Sequence, residues 1–336
     1  MHTATKSALV ASVVLAFAST EALAAMTWNV SLWGKRRAFT EHIEKLAELV
    51  AAKTNGEFKL NLGYGETLSK NRENLDGIKI GAFEMAQICA GYHENKNPTL
   101  TVLELPFLGV QDLKQEIAVS QALYEHPAVK KDLARWDAMA LMPSPMPQYN
   151  VAGTGEAPKS LADFQGRRIR ATGGLGEAFK TIGAVPTSVT ASEAYNAMES
   201  GVLDSVAFAQ HAHLAFRTVD LAKWWTVNLN PGTVQCPVVV SIASYKGLKP
   251  EFREALDSSI KESLEHYLAK YGEVYKKWDP LLEKKGIQKV SFSKEQIAEF
   301  RARAAEPARA AWVKKMDAQG VPGQELYDLV MKTLGN

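Results

Sequence analysis

The pattern that most constrains this chain is a short apolar run followed by an amphipathic stretch, repeated, broken off and then begun again. Residues 26–32 read as a strand, and residues 38–54 place Phe39, Ile43, Leu46, Ala47 and Val50 at the i, i+3/i+4 spacing of one helix face. Asn55-Gly56 ends that helix, 58–62 read as the next strand, 71–80 as a helix closed by Gly81, and 85–90 as a third strand. Connections this short predict a βαβαβ unit with parallel pairing. The pattern restarts with a strand at 167–171, a helix at 175–182, a strand at 186–189, a helix at 191–198 and a strand at 205–209. Two such units predict an α/β protein of two lobes facing a cleft. Residues 250–285 then keep Leu256, Ile260, Leu264, Tyr267, Leu268, Tyr271, Tyr275 and Trp278 on helical spacing for about seven turns, enough to lie across both lobes. Pro280 is expected to kink or end this helix, and its Tyr and Trp stripe reads as core packing.

The first 25 residues differ in kind. Lys6 and the amino terminus precede an apolar run over 8–18, and Ala22-Leu23-Ala24 supplies the small-x-small pattern of a signal-peptidase site. The run is about half of the ~20 residues needed to span a bilayer, so residues 1–25 are expected to be a cleaved export signal and the mature chain a soluble exported protein. With 336 residues and 46% hydrophobic content the chain can bury two cores. Its net charge of +2, from 39 basic against 37 acidic residues, excludes the basic stripe of a nucleic-acid binder. Two cysteines exclude a disulfide framework or a multi-cysteine zinc site, and the apolar neighbours of Cys89 and Cys236 read as those of buried thiols.

Catalytic signatures are missing. The chain contains no G-x-x-x-x-G-K-[ST], G-x-S-x-G or H-E-x-x-H segment. His211 and His213 stand without a nearby cysteine or acidic cluster, so no metal is expected there. Gly173-Gly174-Leu175-Gly176 follows a strand and opens a helix, where its backbone N–H groups can face an anion, which makes Gly173 a candidate binding position. No nucleophile–base pair follows from spacing, and neither catalysis nor a cofactor is expected.

Leu161-Ala162-Asp163-Phe164-Gln165-Gly166-Arg167-Arg168-Ile169-Arg170 resembles the L-x-D-x-x-G-x-(K/R)-(I/L/V)-R segment of the solute-binding proteins of tripartite ATP-independent periplasmic (TRAP) transporters, the DctP type. Further segments resemble that family in its own order: 38–56, ending near a V-x-x-K-T-x-G motif; 75–81, like L-x-x-(L/I)-K-x-G; Leu103-Glu104-Leu105-Pro106-Phe107-Leu108; Gly183-Ala184-Val185-Pro186-Thr187; 192–198, like x-E-(V/A)-Y-x-A-L; and Gly201-Val202-Leu203-Asp204. The resemblance implies a clamshell of two α/β lobes joined by hinge strands and crossed by the long helix. The first lobe is expected over 26–149 plus 237–275, the second over 150–236 plus 276–336. It also implies a periplasmic, monomeric receptor that encloses an organic acid and delivers it to membrane permease subunits driven by an ion gradient. An exported α/β enzyme acting on small acids, or a ligand-sensing subunit of a signalling system, are the alternatives.

The resemblance also points to the binding residues. Arg170 stands where the family grips the ligand carboxylate, a role suited to a planar guanidinium that donates two parallel hydrogen bonds and keeps its charge when desolvated. Arg168 shares the strand parity of Arg170 but is expected to be solvated. Trp33 follows the first strand, and Cys89 to Tyr92 follow the third, at the strand ends where open α/β sheets take ligands. Tyr149 and Asn150 precede the second lobe, and no arginine stands there, unlike the pattern of sialic-acid receptors. Phe208 occupies a position often polar in the family, and Gln235 and Cys236 lie at the returning hinge. Aromatic walls around one charged anchor predict a small monocarboxylate with an apolar or aromatic body.

Overall fold

The computed structural model describes residues 25–335, so the expected export signal lies outside the described residues. Eleven strands occur among these residues: β1 (Met26–Leu32), β2 (Phe58–Tyr64), β3 (Met85–Gln87), β4 (Ala138–Pro143), β5 (Asn150–Gly153), β6 (Arg168–Arg170), β7 (Val185–Thr187), β8 (Ser205–Phe208), β9 (Trp224–Thr226), β10 (Pro237–Ser241) and β11 (Gln288–Val290). They form two sheets, one ordered β2-β1-β3-β10-β4 and one ordered β11-β9-β5-β8-β6-β7. β1 runs parallel to β2 and β3, and β6 runs parallel to β7 and β8, as the two βαβαβ patterns require.

Each sheet also contains one strand that arrives from the other lobe, and that strand runs the opposite way. β10 is antiparallel to β3 and β4, and β5 is antiparallel to β8 and β9. The chain leaves the first lobe between β4 and β5 and returns between β9 and β10. The two crossings are hydrogen-bonded to each other, Ser144 N–H donating to the Cys236 carbonyl at 3.1 Å and Tyr149 N–H to the Gly232 carbonyl at 2.8 Å. Ile88 and Ala90 N–H groups donate to the Pro237 and Gln235 carbonyls, carrying the β3–β10 register beyond Gln87 as far as Ala90 opposite Gln235. Cys89 and Cys236 are therefore directly opposed, and they form a disulfide. This corrects the reading of both as free buried thiols: local apolar flanks reveal burial but not cross-strand register.

The long amphipathic region is two helices, Pro250–Asp257 and Ile260–Lys284, so the interruption falls at Ser258-Ser259 and not at Pro280. Ser259 Oγ donates back to the Ala255 carbonyl at 2.6 Å, a local bond that competes with helix continuation. Pro280 lacks one N–H donor, yet the helix continues because Trp278 and Leu282 on either side are buried against Trp225 and Ala152 of the second lobe. The other end of the same helix packs against the helix Glu41–Lys53 of the first lobe. Residues 276–336, expected wholly with the second lobe, are in fact shared. The helix Lys294–Asp317 packs on the helix Gly173–Lys180, whereas Gly323–Leu334 returns to the first lobe, where Leu326 and Val330 are buried with Leu100 and Leu123.

The lobes meet closely at Gly173-Gly174. Gly173 has φ +52°, and a Cβ there would stand 2.3 Å from Glu104 Oε2; at Gly174 it would stand 2.1 Å from the Glu104 backbone oxygen. Only glycine permits the first-lobe backbone to lie against the start of this second-lobe helix. Gly174→Ala is expected to hold the lobes apart. Small-angle scattering should return a larger radius of gyration than for wild type, and superimposable profiles would show that the contact absorbs a methyl group.

Candidate functional site

β6 ends at Arg170 after Ile169 has anchored the strand in the second-lobe core, which sets the guanidinium at the cleft. Arg170 is only 3% exposed and makes no ion pair with an acidic side chain among the described residues. Its Nε donates to the Val189 carbonyl and one terminal nitrogen to the Tyr92 hydroxyl, both at 3.0 Å, while Nη1 has no acceptor among the described residues. The guanidinium carbon lies 4.6 Å from the centre of the Phe208 ring, a favourable cation–π distance. Arg168, by contrast, is exposed and pairs with Asp204, as its expected solvation requires; Nε to Oδ2 is 3.0 Å.

These groups border a small cavity of about 20 Å³ between the lobes, so the lobes stand nearly shut. Six of the residues singled out from sequence line it: Arg170, Trp33, Cys89, Tyr92, Tyr149 and Phe208. Tyr92 does more than line it. Its hydroxyl, carried by the first lobe, accepts from Arg170 and from the Ala191 N–H at 2.9 Å in the second, a latch across the cleft. The Cys89–Cys236 disulfide forms part of the wall.

Asn150, Gly173 and Gln235 lie outside the lining. Asn150 spends its amide on the hinge, accepting from Thr226 Oγ1 at 3.1 Å and Leu229 N–H at 3.0 Å and donating to Asn230 at 2.7 Å. Gln235 donates to the Tyr124 hydroxyl and accepts from Ser120. Gly173 is covered by Glu104. These three therefore build the frame around the cavity.

The lining also includes Arg37 and Phe216, which carry no signal in the sequence, and His211, weighed there only as a metal ligand. Arg37 is a buried first-lobe cation whose guanidinium carbon lies 4.8 Å from the Trp33 ring, 4.9 Å from Phe39 and 5.2 Å from Phe216. His211 stacks on Phe39 and shares a 2.9 Å hydrogen bond between Nδ1 and the Tyr271 hydroxyl, and burial holds it well below the usual histidine range and hence neutral at pH 7. Tyr271 thus supports the wall from below, and the aromatic stripe of the long helix is core, as its spacing predicts. His213 binds Thr218 Oγ1 at 2.7 Å behind the wall.

Glu104 is the only acidic side chain in the lining. Its Oε1 accepts from the Gly91 N–H at 3.0 Å and the Gln235 N–H at 3.1 Å, while Oε2 has no partner. Burial raises this carboxyl from 4.5 to about 7, against the opposing pull of the two N–H groups and of Arg170. An acid raised on folding stabilises the fold below its unfolded pKa and loses that contribution as pH climbs toward the folded value. Glu104→Gln removes the ionisation but keeps an accepting oxygen. It is expected to gain stability over wild type on the order of 1–3 kcal/mol between about pH 5 and about pH 8. Urea midpoints at the two pH values check this, and an identical difference at both would rule out ionisation of Glu104 as the cause.

The fold and its enclosed cavity define a two-lobed solute-binding protein. The chain belongs to the bacterial extracellular solute-binding proteins, family 7 (DctP), whose sequence profile matches residues 30–315. It is 25% identical over 260 residues to the 2,3-diketo-L-gulonate-binding periplasmic protein of Escherichia coli (strain K12), covering 74% of this chain and 76% of that one. Among solved structures it superposes with a TM-score of 0.81 on a Bordetella pertussis extracytoplasmic solute receptor binding pyroglutamic acid, at 20% identity and covering 91% of this chain and all of that one. A TRAP solute-binding protein from a marine metagenome, specific for aromatic acids and solved with 3-hydroxybenzoate, gives 0.80 at 21% identity, covering 93% and 98%. These superpositions show a shared fold. Among the described residues no helix is long and apolar enough to cross a membrane.

Proposed function

We propose that this chain is the extracytoplasmic receptor of a TRAP transporter, that it encloses a small monocarboxylate with an apolar or aromatic body, and that it hands this acid to an ion-gradient-driven membrane permease. The observation that carries the reading is Arg170: a guanidinium buried at the cleft, without a carboxylate partner, with one terminal nitrogen uncommitted and an aromatic ring against its face. A buried unpaired charge costs several kcal/mol, and a ligand carboxylate offsets that cost through charge-assisted hydrogen bonds. Trp33, Phe39, Phe208 and Phe216 supply the apolar walls. The ligands of the two superposed proteins, pyroglutamic acid and 3-hydroxybenzoate, are compact acids of this kind.

Two features favour a receptor over an exported enzyme. Cys89 and Cys236 are joined, so neither offers a nucleophilic thiol, and His211 is committed to Tyr271. The same disulfide fits a periplasmic location, since such bonds persist in oxidising compartments.

Arg170→Ala and Arg170→Lys are both expected to weaken binding by about 2–5 kcal/mol while the fold persists, because lysine cannot reproduce the bidentate contact. Calorimetry with the best-binding acid from a thermal-shift panel of aromatic acids, branched hydroxy and keto acids and uronates measures this. Unchanged affinity in Arg170→Ala would remove Arg170 from the site. A uronate binding best would overturn the aromatic-walled reading, because each hydroxyl without a partner costs about 1–3 kcal/mol.

A further inference from the structure

The first-lobe side of the cavity carries its own set of uncommitted donors. Arg37 is nine-tenths buried, and among the described residues its guanidinium makes one hydrogen bond, from Nη1 to the Lys35 carbonyl at 2.7 Å; Nε has no partner. The indole Nε1 of Trp33 is also buried without an acceptor. The Tyr149 hydroxyl donates only to the Met146 thioether, at 3.3 Å, a weak acceptor. Among the described residues no acidic side chain hydrogen-bonds to these donors, and Glu104, the one carboxyl in the lining, accepts through Oε1 from Gly91 and Gln235.

The guanidinium remains charged in this setting. Burial lowers Arg37 only to about 10, which leaves it protonated at neutral pH. Three aromatic rings within about 5 Å give partial compensation by cation–π attraction but accept none of its hydrogen bonds. The two cations stand apart along one aromatic floor: Arg170 covers Phe208, Phe208 contacts Phe216 with ring centres 6.2 Å apart, and Arg37 covers Phe216.

We propose that Arg37, with Trp33 Nε1 and the Tyr149 hydroxyl, forms a second anchor for the same ligand, so that the acid carries an oxygen acceptor (a hydroxyl, ring carbonyl or keto group) at the end remote from the carboxylate held by Arg170. This rests on the carboxylate reading of Arg170 and narrows it to acids with two polar ends and an apolar middle. It also gives each lobe one end of the ligand, so that binding draws the lobes together.

Matched pairs of acids test this. Benzoate is compared with 3-hydroxybenzoate, and cyclopentanecarboxylate with pyroglutamate, by calorimetry on wild type, Arg37→Met and Tyr149→Phe, each checked for an unchanged far-ultraviolet spectrum. In wild type, the better-fitting pair is expected to show about tenfold tighter binding of the oxygen-bearing member. Arg37→Met should abolish that ratio while the parent acid still binds; Tyr149→Phe should reduce it, and stands as the deciding variant if Arg37→Met does not fold. An unchanged ratio in the folded variants, or no ratio in wild type, overturns the second anchor and leaves the Arg170 reading intact. Failure of all four acids to bind wild type overturns both.

Discussion

Two guanidiniums, one from each lobe, are kept out of water at one cavity, and neither is paired with a carboxylate among the described residues. Because an unpaired buried charge is expensive, the rest of the structure is arranged to hold these two in place. Arg170 is fixed by the Val189 carbonyl, the Tyr92 hydroxyl and the face of Phe208. Arg37 is fixed by the Lys35 carbonyl and by three rings drawn from both lobes, Trp33 and Phe39 from the first and Phe216 from the second. The only acid within reach gains more from burial as a neutral group than from ionisation near neutral pH, so it does not cancel the cations below about pH 7.

The frame around them follows from a single topological device used twice. One reversed strand in each sheet is the visible trace of a chain that crosses between lobes; the crossings run side by side, joined by backbone hydrogen bonds, and the Cys89–Cys236 bond ties the returning one to the segment after β3. The hinge is thus stiff along its length, and the cavity wall is continuous with it. Tyr92 and the Glu104–Gly174 approach are the contacts that register the lobes when they stand close.

Much of this was legible in the sequence. Strand positions came from apolar runs bounded by glycine and asparagine: β1 matches its expected bounds, and β6 and β8 fall within theirs. Arg170 was legible because its motif surrounds it. Arg37 was not, since Lys35-Arg36-Arg37 reads as a solvated basic turn; Arg36 does sit in water paired with Glu44, and only the third dimension turns its neighbour inward. Asn150 and Gln235 were placed at the cleft by position, but a position near a hinge does not reveal whether an amide is free or consumed by backbone and side-chain partners. The helix break at Ser258-Ser259 escaped notice for a related reason: serine occurs both at breaks and within helices, as Ser263 does here, whereas proline advertises itself.

The position of β10 bears on how the chain reaches this state. Its five residues are buried throughout, and it lies between β3 and β4 in the middle of the first sheet. Strands made some hundred residues earlier must wait for it, because without it the sheet is split and both flanking strands expose unpaired backbone. The first sheet is therefore incomplete until β10 has been made, although its other four strands are synthesised before most of the second sheet. A nascent chain cannot complete that sheet until residue 241 has emerged, so its assembly rests on pairing that is distant in sequence and correspondingly slow.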